Sequence, residues 1–232
     1  VDVSRGGGFA AVLLATGMMT QTASSDTNRA DLNSVMRLLD AAAAKFRTTQ
    51  ADISWDQYEK VVDEHELQSG TIYYNGNGAN TEVAILFTKP EAKSVVFKDG
   101  TIQYYVPKVD QLTVISTSRN RSTYESFLGV GFGGSGKDLE AAWNVSTLGN
   151  EQISNVTVVK LELRPKQESV RRNLERALIW VDPTRDVSLK QVFYSPTGDV
   201  RTVIYTNLRY NLKLLPSVFA IKTTADTQTV YK

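Results

Sequence analysis

The sequence predicts a mainly β (α+β) fold: one long helix, then a large antiparallel sheet with a helical insertion partway through it. Three observations predict it. A single amphipathic stretch, Asp31 to Arg47, repeats with helical period. From Gln50 onward the period shortens to two, and short turns separate one strand-like run from the next. Between Arg119 and Trp143 that rhythm breaks into two short helical pieces around a glycine-rich loop.

The chain ahead of the helix reads as a targeting segment. Arg5 precedes an apolar run from Phe9 to Met19, and small residues follow at Ala23, Ser24 and Ser25. That is the layout of a secretory leader, with an apolar run too short to span a bilayer. Residues 1–25 are expected to be removed and the mature chain, 26–232, to begin at Asp26 and be exported.

In the helix, Leu32, Val35, Met36, Leu39, Ala42, Ala43 and Phe46 fall on one face. Asn28 or Asp31 is placed to cap its start. The strands then follow in order. "ADISWDQYEK" and "HELQSGTIYY" alternate around "VVDEHE", and "NGNGAN" supplies a glycine turn. "TEVAILFTKP", "AKSVVFKDG", "TIQYYVPK" and "DQLTVIST" continue as a meander. In this last group Asp99-Gly100 is a two-residue hairpin turn. After the insertion come "NVSTLGN", "NVTVVKLELRP", "RALIWVDP", "LKQVFYSPTG", "VRTVIYTNLRY" and "VFAIKTT".

Composition removes several function classes. With 26 basic and 25 acidic residues the net charge is +1, and no basic stripe marks a nucleic-acid partner. The absence of cysteine removes disulfides, zinc–thiolate sites and a lipid-bearing N-terminal cysteine. His65 is the one histidine, which leaves little for histidine-based catalysis.

The local motifs are weak. "GFGGSGKD", Gly131 to Asp138, matches a phosphate-binding loop as far as Lys137, but Asp138 stands where the magnesium ligand belongs. A mobile surface loop that binds no nucleotide is expected there. Asp63 and His65 alternate onto one strand face, and an exposed charged strand outweighs a two-residue metal site. "RPKQESVRRNLER" mixes charges and reads as a solvated hairpin loop. No catalytic constellation, metal site or cofactor motif is found.

What stands out is surplus apolar surface. "VAILF", "VTVVKLEL", "ALIWV" and "TVIY" are apolar at both parities. Such strands pack something on each face, or curve around a cavity.

The order of these features resembles the periplasmic lipoprotein carrier family LolA. "AKFRTTQADISW" is similar to the family's first strand, and Gly70 in "SGTIYY" to its next glycine. The most specific block is Pro90, "VVFKDG", Tyr105-Val106-Pro107 and "VDQLTVI". "LELRPK", "LIWVDP" and "LRYNLKLLPSVFAI" resemble later family segments. Gly76-Asn77 stands where the family has an Arg-Pro pair whose arginine latches the lid, so the chain resembles a divergent member.

The resemblance implies an open, strongly curved antiparallel half-barrel with helices closing its concave face. It implies a periplasmic carrier, not an enzyme, that uses no cofactor. The implied partners are acylated lipoproteins or related amphiphiles, an inner-membrane release complex and an outer-membrane acceptor, with the carrier acting as a monomer. A lipid- or lipoprotein-sensing regulator built on the same half-barrel is the alternative. Expected cavity residues on strands are Val83, Ile85, Phe87, Val96, Ile102 and Tyr104. Leu39, Phe46, Phe127, Leu128 and Phe132 are expected from the lid. Ordinary core packing is the competing role for each.

Overall fold

A computed structural model describes residues 23–77, 80–117 and 130–232. The predicted leader falls outside them up to residue 22, as do Phe127 and Leu128. Helix α1 spans Ala23–Ala43. It starts eight residues before the predicted Asp31, so Asn28 and Asp31 lie within it rather than at its cap, and it stops before Arg47.

Six strands follow: β1 (Thr48–Glu59), β2 (Glu64–Asn77), β3 (Asn80–Lys89), β4 (Lys93–Lys98), β5 (Thr101–Val106) and β6 (Gln111–Ser116). Helix α2 (Gly136–Ala142) is the second of the two short helices expected in the insertion. Then come β7 (Trp143–Ile153), β8 (Val156–Pro165), a short α3 (Glu168–Arg171), β9 (Arg176–Asp182), β10 (Val187–Tyr194), β11 (Val200–Tyr210) and β12 (Gln228–Tyr231). The basic run after β8, expected as a loop, thus carries a helical turn. "VFAIKTT", expected as a strand, is a 3-10 turn at Pro216–Phe219 and irregular chain beyond it.

All twelve strands form one open sheet in the order β12-β6-β5-β4-β3-β2-β1-β11-β10-β9-β8-β7. Two antiparallel meanders meet where β1 pairs with β11. Among the described residues the one parallel pair is β12 with β6, so the sheet is mixed at its edge. The expected open, curved half-barrel with helices is the observed architecture.

Directly opposed residues in an antiparallel pair share a face. The register therefore sorts the sheet into two faces. One carries Ile53, Tyr74, Val83, Phe87, Phe97, Ile179, Leu161 and Leu163. Over β7–β9 this face is closed by α1 and α2. Val35, Met36 and Leu39 from α1 join Leu139, Leu161, Leu163 and Ile179 in one dry cluster. Each large aliphatic buried there contributes about 1.5–3 kcal/mol.

The second face explains why so many strands are apolar at both parities. Over β3 and β4 it is covered by the chain around Pro216–Phe219, where Phe219 packs on Ala84 and Val96. Over β8–β10, Trp180 and Leu178 pack with Val158 and Val192. The ammonium groups of Lys160 and Lys190 lie over the Trp180 ring at 4.8 and 4.6 Å. The β4–β5 hairpin shows both arrangements. Ile102 and Tyr104 share the helix-side face with Val95 and Phe97, and Tyr105 is buried on the other, donating to the Asp110 carboxylate at 2.8 Å.

Candidate functional site

The helix-side face of the sheet has three zones. The zone over β7–β9 is the closed core just described. The central zone is filled by aromatic rings. Phe132 descends from the glycine-rich loop, edge-on to Tyr205 at 4.9 Å and stacked on Tyr74 at 6.1 Å. Phe46 meets Tyr74 edge-on at 5.7 Å from the other side. The third zone, over β1 and β3–β5, holds Trp55, Ile85, Val95 and Ile102, which pack on the central cluster and remain half-buried.

The loop bearing Phe132 is not the mobile surface loop expected from the sequence. Phe132 is 2% exposed and Val130 is equally buried. Ser188 N–H donates to the Gly131 carbonyl at 2.7 Å, Gly133 N–H to the Asp186 carbonyl at 3.2 Å, and Gln191 Nε2 to the Val130 carbonyl at 2.7 Å. Gly131 has φ +77°, and a Cβ there would stand 2.1 Å from Ser188 Oγ. Only glycine permits this loop to press so closely on the β9–β10 turn.

These bonds also dispose of the phosphate-loop motif. Its backbone donor at Gly133 is committed to Asp186. Ser135 caps α2, accepting from Asp138 N–H at 3.1 Å while its hydroxyl donates to the Asp138 carboxylate at 2.7 Å. The residue that breaks the motif thus closes a reciprocal cap. Lys137→Ala is expected to change stability by no more than about 0.5 kcal/mol, with no ATP binding in either protein by calorimetry. Micromolar ATP affinity that depends on Lys137 would refute this.

Beside the loop, a cavity of about 950 Å³ opens between the end of α1, α2 and the adjoining ends of β2 and β3. Its walls include Phe46, Tyr74, Leu139 and Trp143, with Asp40, Arg47, Lys137 and Gln167 among the polar residues. The volume is at the upper end of the range for small-molecule sites, about 300–1,000 Å³.

Beneath the loop lies a buried polar group that sequence reasoning missed. Asp186 is 1% exposed, and its Oδ2 has no partner among the described residues. Burial, and secondarily the Asp40 carboxylate, push its pKa up to about 8. In the unfolded chain it titrates near about 3.9. Between those values the folded protein holds a proton that the unfolded chain has lost, so stability falls as pH rises. The asparagine variant, Asp186→Asn, is expected to lack this decline from about pH 4 to about pH 8. Urea denaturation at several pH values checks it, and parallel curves for the two proteins would refute the buried proton.

The predicted site residues divide accordingly. Phe46, Val83, Phe87 and Phe132 share the central cluster, with Ile85 and Ile102 packed against it. Tyr104 lies on the same face, opposite Val95. Leu39 does not join them: it is fully buried in the core between α1 and β7–β9. Val96 is on the opposite face, under Phe219. Trp55, Val95 and Phe97 were missed.

Histidine and carboxylate groupings offer no alternative centre. Asp63 sits in the β1–β2 turn at φ 55° rather than beside His65 on a strand. The exposed His65 pairs instead through Nδ1 with the half-buried Asp56 at 2.8 Å. Among the described residues no three potential metal ligands cluster, and no helix is long and apolar enough to cross a membrane.

No protein-family model matches the sequence, and no curated protein matches it. Solved structures do. The crystal structure of MucB is 13% identical, covers 87% of this chain and 66% of the MucB chain, and has a TM-score of 0.53. An uncharacterized conserved protein from Thermus thermophilus is 14% identical over 86% of this chain and 99% of its own, with a TM-score of 0.55. A LolA superfamily protein from Nitrosomonas europaea is 17% identical over 82% and 97%, with a TM-score of 0.40. MucB has also been solved in complex with MucA. At these identities the likeness to MucB and to the Thermus thermophilus protein is one of fold alone.

Proposed function

We propose that this chain is a periplasmic carrier for the acyl chains of lipoproteins or related amphiphiles, maturing at Asp26 and performing no chemistry. It would accept cargo from an inner-membrane release complex and deliver it to an outer-membrane acceptor, as a monomer and without a cofactor. The observation that carries the reading is the third zone: Trp55, Ile85, Val95 and Ile102 form an apolar strip that the described residues leave half-buried. Each buried methylene is worth about 0.8 kcal/mol, so a long acyl chain needs a host worth roughly 10 kcal/mol to cross water. The Phe132 loop, held by a few hydrogen bonds over the centre, is the element such a host would displace to enlarge the strip.

A regulatory reading has its own support. MucB shares this fold, and its complex with MucA is a protein–protein assembly. Native mass spectrometry of the protein from its own envelope, with lipid extraction, separates the two. A mass beginning at Asp26 with co-purifying acylated species is the expected result. A stoichiometric protein partner without lipid would favour regulation, and protein bare of both would count against the two readings.

A further inference from the structure

The apolar strip ends in a pair of cations. Trp55 and Phe87 meet edge-to-face at 5.9 Å. The Arg201 guanidinium lies over Trp55 at 5.6 Å, and the Lys93 ammonium lies over Phe87 at 5.2 Å. The register places all four on the helix-side face. Phe87 is directly opposite Lys93 across β3–β4, and Arg201 is opposite Gln57, two residues along β1 from Trp55. We propose that the amphiphile held on this face carries an anionic headgroup, a phosphate or carboxylate, which docks against Lys93 and Arg201 while its acyl chain lies along Trp55, Ile85, Val95 and Ile102.

This rests on the carrier reading and specifies the cargo's chemistry. Three features point the same way. First, the charges are only loosely neutralised. Glu66 reaches Lys93 at 3.6 Å with half of its own side chain exposed. Asp199 attracts Arg201 only through space, its oxygens accepting from the Lys60 backbone N–H at 3.0 Å and the Thr197 hydroxyl at 2.6 Å. Second, both cations sit over rings, Lys93 half-buried and Arg201 exposed, so an incoming anion meets donors whose stems already lie on apolar surface. Third, apolar and cationic surfaces are contiguous on one face, as an amphiphile's two ends are. The far end of the same strands, by Phe46 and Tyr74, opens on the 950 Å³ cavity. Between Thr49 and Trp55 this face runs about 20 Å at about 3.3 Å per strand residue, with Phe132 filling its centre.

Competition with a fluorescent acyl probe tests it, using ligands of one acyl length: lysophosphatidylglycerol, a fatty acid, monoacylglycerol and lysophosphatidylcholine, with glycerol 3-phosphate as a chain-free anion. The two anionic amphiphiles are expected to bind at least tenfold more tightly than monoacylglycerol at low salt, an advantage that shrinks as salt is raised. The double variant Lys93→Gln/Arg201→Gln, folded by circular dichroism, is expected to lose that tenfold, so that it binds the anionic amphiphiles no more tightly than monoacylglycerol. Equal affinity for charged and uncharged chains would overturn the headgroup site and leave the carrier reading standing. Binding of glycerol 3-phosphate as tight as that of the lysolipid would make this a small-anion site and overturn the amphiphile. Failure of every amphiphile to displace the probe would overturn both readings.

Discussion

Gly70→Ala is expected to destabilise the protein by about 3 kcal/mol or more, at or above the usual upper cost of overpacking a core. A Cβ at Gly70 would stand 2.1 Å from the Leu86 carbonyl oxygen, and 2.8 Å from both the Leu86 carbonyl carbon and Phe87 Cα. All three atoms are main chain in the adjacent strand, so no rotamer change relieves the contact. The site is also where the β2–β3 register shifts, between Ser69 and Gly70. A bulge that brings backbone this close excludes any side chain. The β2–β3 pair must then separate, and it holds Phe87 against the central cluster. Gly76→Ala on the same strand is the control, because its Cβ would meet the Tyr74 ring, a side chain, at 2.8 Å. Urea midpoints measure both. A Gly70→Ala midpoint equal to that of the parent protein would refute the main-chain clash.

Glutamate at Phe87 and at Ile102 is expected to have opposite outcomes. Phe87 is 7% exposed, edge-on to Trp55 and inside the central cluster. Phe87→Glu buries a carboxylate among rings and removes their packing, which costs several kcal/mol and leaves the protein largely unfolded. Ile102 only packs against that cluster and is half-buried. Its glutamate reaches water, so Ile102→Glu is expected to melt cooperatively near the parent temperature. It would nevertheless put a charge in the middle of the acyl strip and weaken binding of a fluorescent acyl probe by tenfold or more. Circular dichroism and probe titration read the two effects separately. Full probe binding by folded Ile102→Glu would show that this face holds no acyl chain. Equal stability of both variants would show that Phe87 is no more enclosed than Ile102.

The position of Val96, on the face under Phe219, was available in the sequence and overlooked. The Asp99-Gly100 turn has two residues, with Asp99 at φ 51° and Gly100 at φ 70°. A two-residue turn opposes Lys98 to Thr101 and Phe97 to Ile102. Ile102 must then share a face with Phe97 and Val95, and Val96 must point the other way. Hairpin register alone decides this. Leu39 was legible as a buried helix residue, but not the cluster it would join. That depends on where α1 lies across a sheet whose β7–β9 strands are more than a hundred residues away.

The sequence by itself determined most of the local structure, short of the chain after β11 and the helical turn after β8: helix against strand, the hairpins, the aromatic and aliphatic content of each strand, and the defect at Asp138 that removes a phosphate loop. These follow from backbone preference and side-chain period, which act over a few residues. Only the tertiary structure decided the rest. The same apolar double parity fits a two-sided core and a curved cavity. Which one holds is set by where Phe219 and Phe132 come to rest, through contacts between residues far apart in the chain. Phe219 covers one face of β3–β4, and Phe132 fills the centre of the other. Asp186 is an ordinary turn residue until the glycine-rich loop seals it from water, and its raised pKa exists only in that enclosure. Burial is a property of the assembled surface, because a side chain's exposure depends on every segment that packs over it, and no short stretch of sequence contains those segments.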